Sequence, residues 1–144
     1  MIKPGENPRV LIVDDDPAYL QDEVDALGFD CTAVCDLVGL KKELDRVKNL
    51  RENIADVAPA YCAYIIDLCL GSDSGFDAMK CIREWEVETG LDHMPFIVYS
   101  GFTDFDFSEV ASLCPNFYVV NKAHPADFEA VLMSLDHAHQ IKSL

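Results

Sequence analysis

The stretch Tyr61-Cys-Ala-Tyr-Ile-Ile-Asp67-Leu-Cys-Leu-Gly-Ser-Asp-Ser-Gly75 constrains this chain more than any other. Its apolar run is too short for a helix and too apolar for a half-exposed strand, so it predicts a strand buried on both faces. Such strands occupy the middle of parallel sheets, and ligands bind beyond their carboxyl ends. Asp67 stands where the apolar run stops, with a loop of small residues after it. A charge at that place can meet water, a metal or a substrate.

The segments on either side repeat one pattern. Arg9–Val13 predicts a first strand, with Asp16 as N-cap and Pro17 opening a helix that carries Leu20, Val24 and Leu27 and stops at Gly28. Phe29–Cys35 predicts a second strand, with Cys31, Ala33 and Cys35 on one face. Asp36 caps the next helix, whose stripe is Leu37, Leu40, Leu44 and Val47, and Pro59 lies beyond its end. Strand three is Tyr61–Asp67, followed by a loop to Ser74 and a helix from Gly75 carrying Phe76, Met79, Ile82 and Trp85. Pro95–Ser100 is a fourth strand, 103–113 a short helix and Asn116–Val120 a fifth strand. Pro125 starts a last helix with Phe128, Val131, Leu132 and Leu135 inward. Strand and helix thus alternate five times, which predicts an α/β fold: a doubly wound five-stranded parallel sheet with helices on both faces.

Composition narrows the function. At 144 residues the chain suits one domain with a real core. A formal charge of −15 excludes nucleic acid as a partner of this chain, because phosphate contact needs a basic surface. No apolar stretch approaches the roughly 20 residues of a membrane span, and the N-terminus lacks a signal-peptide core, so a cytoplasmic protein is expected. Cys31, Cys35, Cys62, Cys69, Cys81 and Cys114 form no Cys-x-x-Cys pair and read as reduced thiols of that compartment. His137 and His139, two apart on a helix, do not face each other and are no metal site.

Every polar residue of interest follows a strand: Asp14 and Asp15, Asp67, Ser100 and Lys122. In a doubly wound sheet these positions share one rim. Carboxylates gathered there repel one another unless a cation joins them, and an all-oxygen set suits Mg²⁺. With a hydroxyl and an ammonium added, the set fits phosphoryl transfer, with an aspartate as nucleophile. Asp67, alone at the end of the central strand, is the favoured acceptor.

These motifs, Val-Leu-Ile-Val-Asp14-Asp15-Asp16-Pro17, Ile-Ile-Asp67 with Gly75, Ile-Val-Tyr-Ser100-Gly101 and Val-Val-Asn-Lys122, resemble the receiver domains of two-component response regulators over about residues 9–138. The resemblance implies a flavodoxin-like strand order 2-1-3-4-5. Residues 1–8, polar and with two prolines, read as a flexible leader, 9–140 as the receiver domain and 141–144 as a tail. The resemblance also implies that Asp14, Asp15 and Asp67, with the backbone carbonyl of Cys69, bind Mg²⁺, and that Asp67 takes a phosphoryl group from a sensor histidine kinase or phosphotransfer protein. Ser100 and Lys122 would contact the phosphoryl group, and Cys69 and Phe102 would govern the approach of the hydrolytic water. The chain would then be a switch rather than an enzyme with an outside substrate, acting on a downstream target or output domain. By analogy with the family, a homodimer would form through the last two helices and last strand.

The sequence also departs from that family. Val119 stands where the family has an aromatic switch residue, and Tyr118 is one position away, on the other face of the strand. Lys122 is followed by Ala123-His124-Pro125 rather than directly by proline. Gly71 replaces a proline after the acceptor, and the segment between Asp15 and Asp67 is long. The first two departures bear on the Ser-to-aromatic relay and leave the phosphorylation chemistry intact.

Two other readings stay open at this point. A degenerate receiver would act only as an interaction module. Alternatively, Asp14-Asp15-Asp16 resembles the Asp-x-Asp start of haloacid-dehalogenase-like phosphatases, with Asp14 as nucleophile, although Ala18 departs from that motif. Phe102, Phe105 and Phe107 read equally as core or as a partner-binding surface at the rim.

Overall fold

The structure, a computed structural model, describes residues 8–53, 61–70, 73–100, 117–122 and 125–143, together with Ser108 and Ser112. In chain order its elements are β1 (Arg9–Val13), α1 (Ala18–Ala26), β2 (Asp30–Val34), α2 (Leu37–Asn53), β3 (Ala63–Ile66), β4 (Cys69–Leu70), β5 (Asp73–Ser74), α3 (Gly75–Thr89), β6 (Phe96–Ser100), β7 (Phe117–Asn121) and α4 (Pro125–Ser143). β2-β1-β3-β6-β7 form one sheet of five strands, all parallel. Counted along the chain, that is the order 2-1-3-4-5. Of the leader expected at 1–8 only Pro8 is described, its carbonyl accepting from Asp30 N–H at 2.9 Å, and the helix expected at 103–113 lies outside the described residues apart from Ser108 and Ser112. α4 continues through 141–143, the residues expected as a tail.

Strand alternation divides the core in two. Leu11, Val13, Tyr64, Ile66, Phe96 and Val98 point to one face, where Leu40, Leu44 and Val47 of α2 and Met79, Ile82 and Trp85 of α3 cover them. Val10, Ile12, Ala63, Ile65, Ile97, Tyr99 and Val120 point to the other, against Leu20 and Val24 of α1 and Phe128 and Leu132 of α4. The central strands are therefore buried on both sides, as their continuous apolar runs require.

The helix ends follow local chemistry, with one correction. Asp36 Oδ1 accepts from Gly39 N–H at 2.7 Å, and Ser74 Oγ from Phe76 N–H at 3.2 Å. Gly90, at φ +73°, closes α3 with the paired bonds Leu91 N–H to Glu86 O and Gly90 N–H to Val87 O. Asp16, however, does not cap α1. The helix begins at Ala18 after Pro17, without a side-chain cap. The Asp16 N–H is instead taken by Asp14 Oδ1 at 2.9 Å.

Two further differences concern strands, while the last strand takes the edge place that the order 2-1-3-4-5 gives it. The expected loop after Asp67 contains a two-stranded antiparallel hairpin, β4 with β5, in the register Cys69 to Ser74 and Leu70 to Asp73. β2 ends at Val34, so Cys35 is exposed rather than on a buried face. β7 lies at the sheet edge, where Tyr118 and Val119 are 39 % and 42 % exposed.

A buried polar network seats β6. Glu86, fully buried, accepts from Tyr64 Oη–H at 2.8 Å and Met94 N–H at 2.9 Å, lies 3.1 Å from His93 Nδ1 and pairs with Arg83. Arg83 also donates to Met94 O at 2.9 Å, and its guanidinium stacks 4.3 Å from the Phe96 ring centroid. The connector from α3 is thereby tied to the start of β6, whose far end carries Ser100.

Candidate functional site

Three neighbouring strands end together. Val13 pairs with Ile66, and Ile66 with Val98, across β1, β3 and β6. Asp14 and Asp67 are the next residues of β1 and β3, so both emerge at the same carboxyl rim. Main-chain bonds fix them there: Asp14 N–H to Val34 O at 3.0 Å, and Asp67 N–H to Val13 O at 2.9 Å. Ser100 and Asn121 pair at the ends of β6 and β7, and Lys122 follows.

The side chains converge. Asp14 and Asp67 are only 4 % and 5 % exposed, whereas Asp15 is exposed. One carboxylate oxygen from each of Asp14, Asp15 and Asp67 lies within 4.8 Å of the others. Lys122 Nζ donates to Asp67 Oδ2 at 2.8 Å and lies 3.9 Å from Asp14 Oδ2. It also stands 6.0 Å from the Tyr99 ring centroid.

Electrostatics mark the place as short of positive charge. Burial pushes the Asp14 carboxyl up to about 6, and the nearby Asp67 charge adds to the rise. The Asp16 N–H and the Lys122 ammonium oppose that rise without cancelling it. At Lys122 burial favours the neutral amine, but the hydrogen bond to Asp67 and the charges of Asp67, Asp14 and Asp15 outweigh it and raise the pKa.

The donor set fits a hard divalent cation. Three carboxylates face one ammonium, which leaves two negative charges. All the side-chain donors are oxygen, the chemistry Mg²⁺ prefers. Gly75 N–H donates to Leu68 O at 3.1 Å, beside the short hairpin in which Cys69 pairs with Ser74.

The fold thus joins four of the residues expected from sequence, Asp14, Asp15, Asp67 and Lys122, at one point. The register puts Ser100 on the same rim. Cys69 is described through its main chain, and Phe102 lies outside the described residues, as do Phe105 and Phe107. One feature had no sequence signal, the Asp14 to Asp16 bond, because Asp16 reads equally well as an N-cap. The ammonium expected at the rim stands in a direct ion pair with Asp67.

Solved structures with this architecture are numerous, and their sequences are distant. The receiver domain of the histidine kinase CKI1 from Arabidopsis thaliana, complexed with Mg²⁺ and BeF₃⁻, superposes with TM-score 0.68 at 17 % identity, over 90 % of each chain. A CheY-like response regulator receiver domain from Methylobacillus flagellatus superposes with TM-score 0.62 at 24 % identity, over 90 % of this chain and 99 % of its own. This chain has the receiver-domain fold. The response regulator TrrA from Thermotoga maritima, solved with Mg²⁺ and BeF, aligns over 89 % of this chain and 98 % of its own, with TM-score 0.62 at 15 % identity. No protein-family profile and no curated protein matches the sequence.

Proposed function

We propose that this protein is a phosphoacceptor receiver of a two-component system, in which a sensor histidine kinase or phosphotransfer protein donates a phosphoryl group to Asp67. The observation that carries the reading is the convergence of three carboxylates and the Lys122 ammonium at one carboxyl rim, with Asp67 at its centre. Two structural neighbours support it, since they hold Mg²⁺ with beryllofluoride, a tetrahedral mimic of a phosphoryl group.

Asp14, Asp15 and Asp67, with the Cys69 carbonyl, would hold Mg²⁺. When bound, the ion supplies neutralising charge for the phosphoryl oxygens. Asp67 attacks phosphorus through a carboxylate oxygen. The P–O bond forms as the P–N bond to the donor imidazole breaks, and the electron pair leaves with the imidazole nitrogen, which takes up a proton from solvent. Lys122 moves its hydrogen bond from Asp67 Oδ2 to a phosphoryl oxygen, and the Ser100 hydroxyl donates to another. The phosphorylated and free forms then differ at this rim, and that difference selects a downstream partner or output domain. The chain is a switch that catalyses only its own phosphorylation and dephosphorylation. Its place would be the cytoplasm, where a sensor kinase presents its phosphoryl group; among the described residues no helix is long and apolar enough to cross a membrane.

Incubation with Mg²⁺ and acetyl phosphate, followed by mass-spectrometric mapping, separates the readings. An adduct on Asp67 supports the switch. Phosphate release through Asp14 supports a phosphatase, and no adduct supports a bare interaction module.

A further inference from the structure

We propose that Gly75 is a positioning residue for the phosphoacceptor: its bare Cα lets the start of α3 bear directly on the Asp67–Leu68 main chain and so fixes where the Asp67 carboxylate stands. The proposal rests on the reading of Asp67 given above and adds a residue to that site.

A Cβ built on Gly75 would overlap the Asp67 carbonyl oxygen, well inside van der Waals contact, and would lie 2.7 Å from Leu68 Cα and 3.0 Å from Asp67 C. All three are main-chain atoms, so no flexible side-chain end can give way. Neither partner is free to retreat. On the α3 side, Gly75 N–H is bonded to Leu68 O at 3.1 Å, Ser74 caps Phe76 N–H, and Ala78, Met79 and Ile82 are locked in the core. On the other side, Asp67 N–H is bonded to Val13 O at 2.9 Å, which ties the acceptor to the strand that carries Asp14.

Accommodating a methyl group requires a relative shift of roughly 1 Å between α3 and the Asp67–Leu68 peptide. Shifts of that size at a reacting group cost about 100-fold in rate. Gly90 makes a suitable control on the same helix. A Cβ there meets nothing within 4 Å, yet its φ of +73° penalises any other residue. Gly90→Ala therefore disturbs the stability of α3 without touching the acceptor.

The test compares wild type, Gly75→Ala and Gly90→Ala. Amide NMR shifts are recorded first without metal, then through a Mg²⁺ titration, and the rate of Asp67 phosphorylation by acetyl phosphate is measured last. Gly75→Ala is expected to move the metal-free amide resonances of Asp67 and Leu68, weaken Mg²⁺ binding and slow phosphorylation 10- to 100-fold. Gly90→Ala should leave all three unchanged at a comparable loss of thermal stability. Equal metal-free shifts at Asp67 and equal Mg²⁺ affinity in wild type and Gly75→Ala would overturn the proposal. Should Gly75→Ala not fold, the titration of wild type decides. The Gly75 amide must then move with the same apparent affinity as that of Asp67, and a silent Gly75 amide rejects the idea. A wild type that takes no phosphoryl group sinks the phosphoacceptor reading instead, while the metal-free shifts in Gly75→Ala still judge the positioning.

Discussion

Replacing Asp14 by asparagine should stabilise the metal-free protein. Asp14 is buried, and its carboxyl is pushed from an ordinary 3.8 up to about 6. A group whose folded pKa is raised holds its proton more tightly in the native state. Its contribution to stability is therefore complete below about 4 and is lost as pH rises through about 6. A rise of about 2 pK units corresponds to about 3 kcal/mol of destabilisation by the ionised side chain at neutral pH. Asparagine keeps an oxygen for the Asp16 N–H and carries no charge. Urea or thermal unfolding in EDTA at pH 7.5, read by far-ultraviolet dichroism and the fluorescence of the single tryptophan, Trp85, measures the difference. Asp14→Asn is expected to unfold about 10 °C higher than wild type, and the two should converge by pH 3.5. Saturating Mg²⁺ should erase or reverse the gain, because wild type then binds the ion better. An asparagine variant no more stable at pH 7.5, or equally favoured at pH 3.5, refutes the reasoning.

Removing the Lys122 ammonium by Lys122→Ala should slow phosphorylation of Asp67 about 100-fold, while Mg²⁺ titration shows equal or tighter binding because a competing cation has gone. Weaker Mg²⁺ binding would contradict this. In the buried network, Glu86→Ala strands Arg83 and should cost roughly 3–5 kcal/mol in urea unfolding, whereas Glu86→Leu combined with Arg83→Met should cost much less; equal losses would refute the network's role. Under the proposed function Cys69 and Phe102 would govern the approach of the hydrolytic water, and neither a thiol nor a phenyl ring is suited to orient it. Autodephosphorylation should therefore be slow, and Cys69→Asn with Phe102→Glu should shorten the phosphoryl half-life. An unchanged half-life counts against that.

The parts of the fold that the sequence announced are those where one period dominates. Val10–Val13 and Ala63–Ile66 are continuous apolar runs, which only a doubly covered strand explains, and both are buried central strands. The stripe of Leu40, Leu44 and Val47 marked its helix face for the same reason. Asp14, Asp15, Asp67 and Lys122 were legible because a parallel sheet carries every strand-end residue to one rim.

What escaped depends on contacts that no period encodes. Asp16 and Asp14 could each supply an oxygen near the start of α1, and only the loop geometry assigns the bond to Asp14. The pairing of Cys69–Leu70 with Asp73–Ser74 has no such period, and that stretch reads simply as loop. Arg83 and Glu86 look like an ordinary i, i+3 surface pair. They are buried because Tyr64, Met94 and Phe96 arrive from elsewhere to receive them.

Fluorine NMR of the protein with Mg²⁺ and beryllofluoride tests the central claim most directly, because the mimic should add to the Asp67 carboxylate only with a metal beside it. Wild type is predicted to show bound fluoride signal that vanishes with EDTA and is absent from Asp67→Asn. A bound signal that persists in Asp67→Asn, or none in wild type at saturating Mg²⁺, would contradict it.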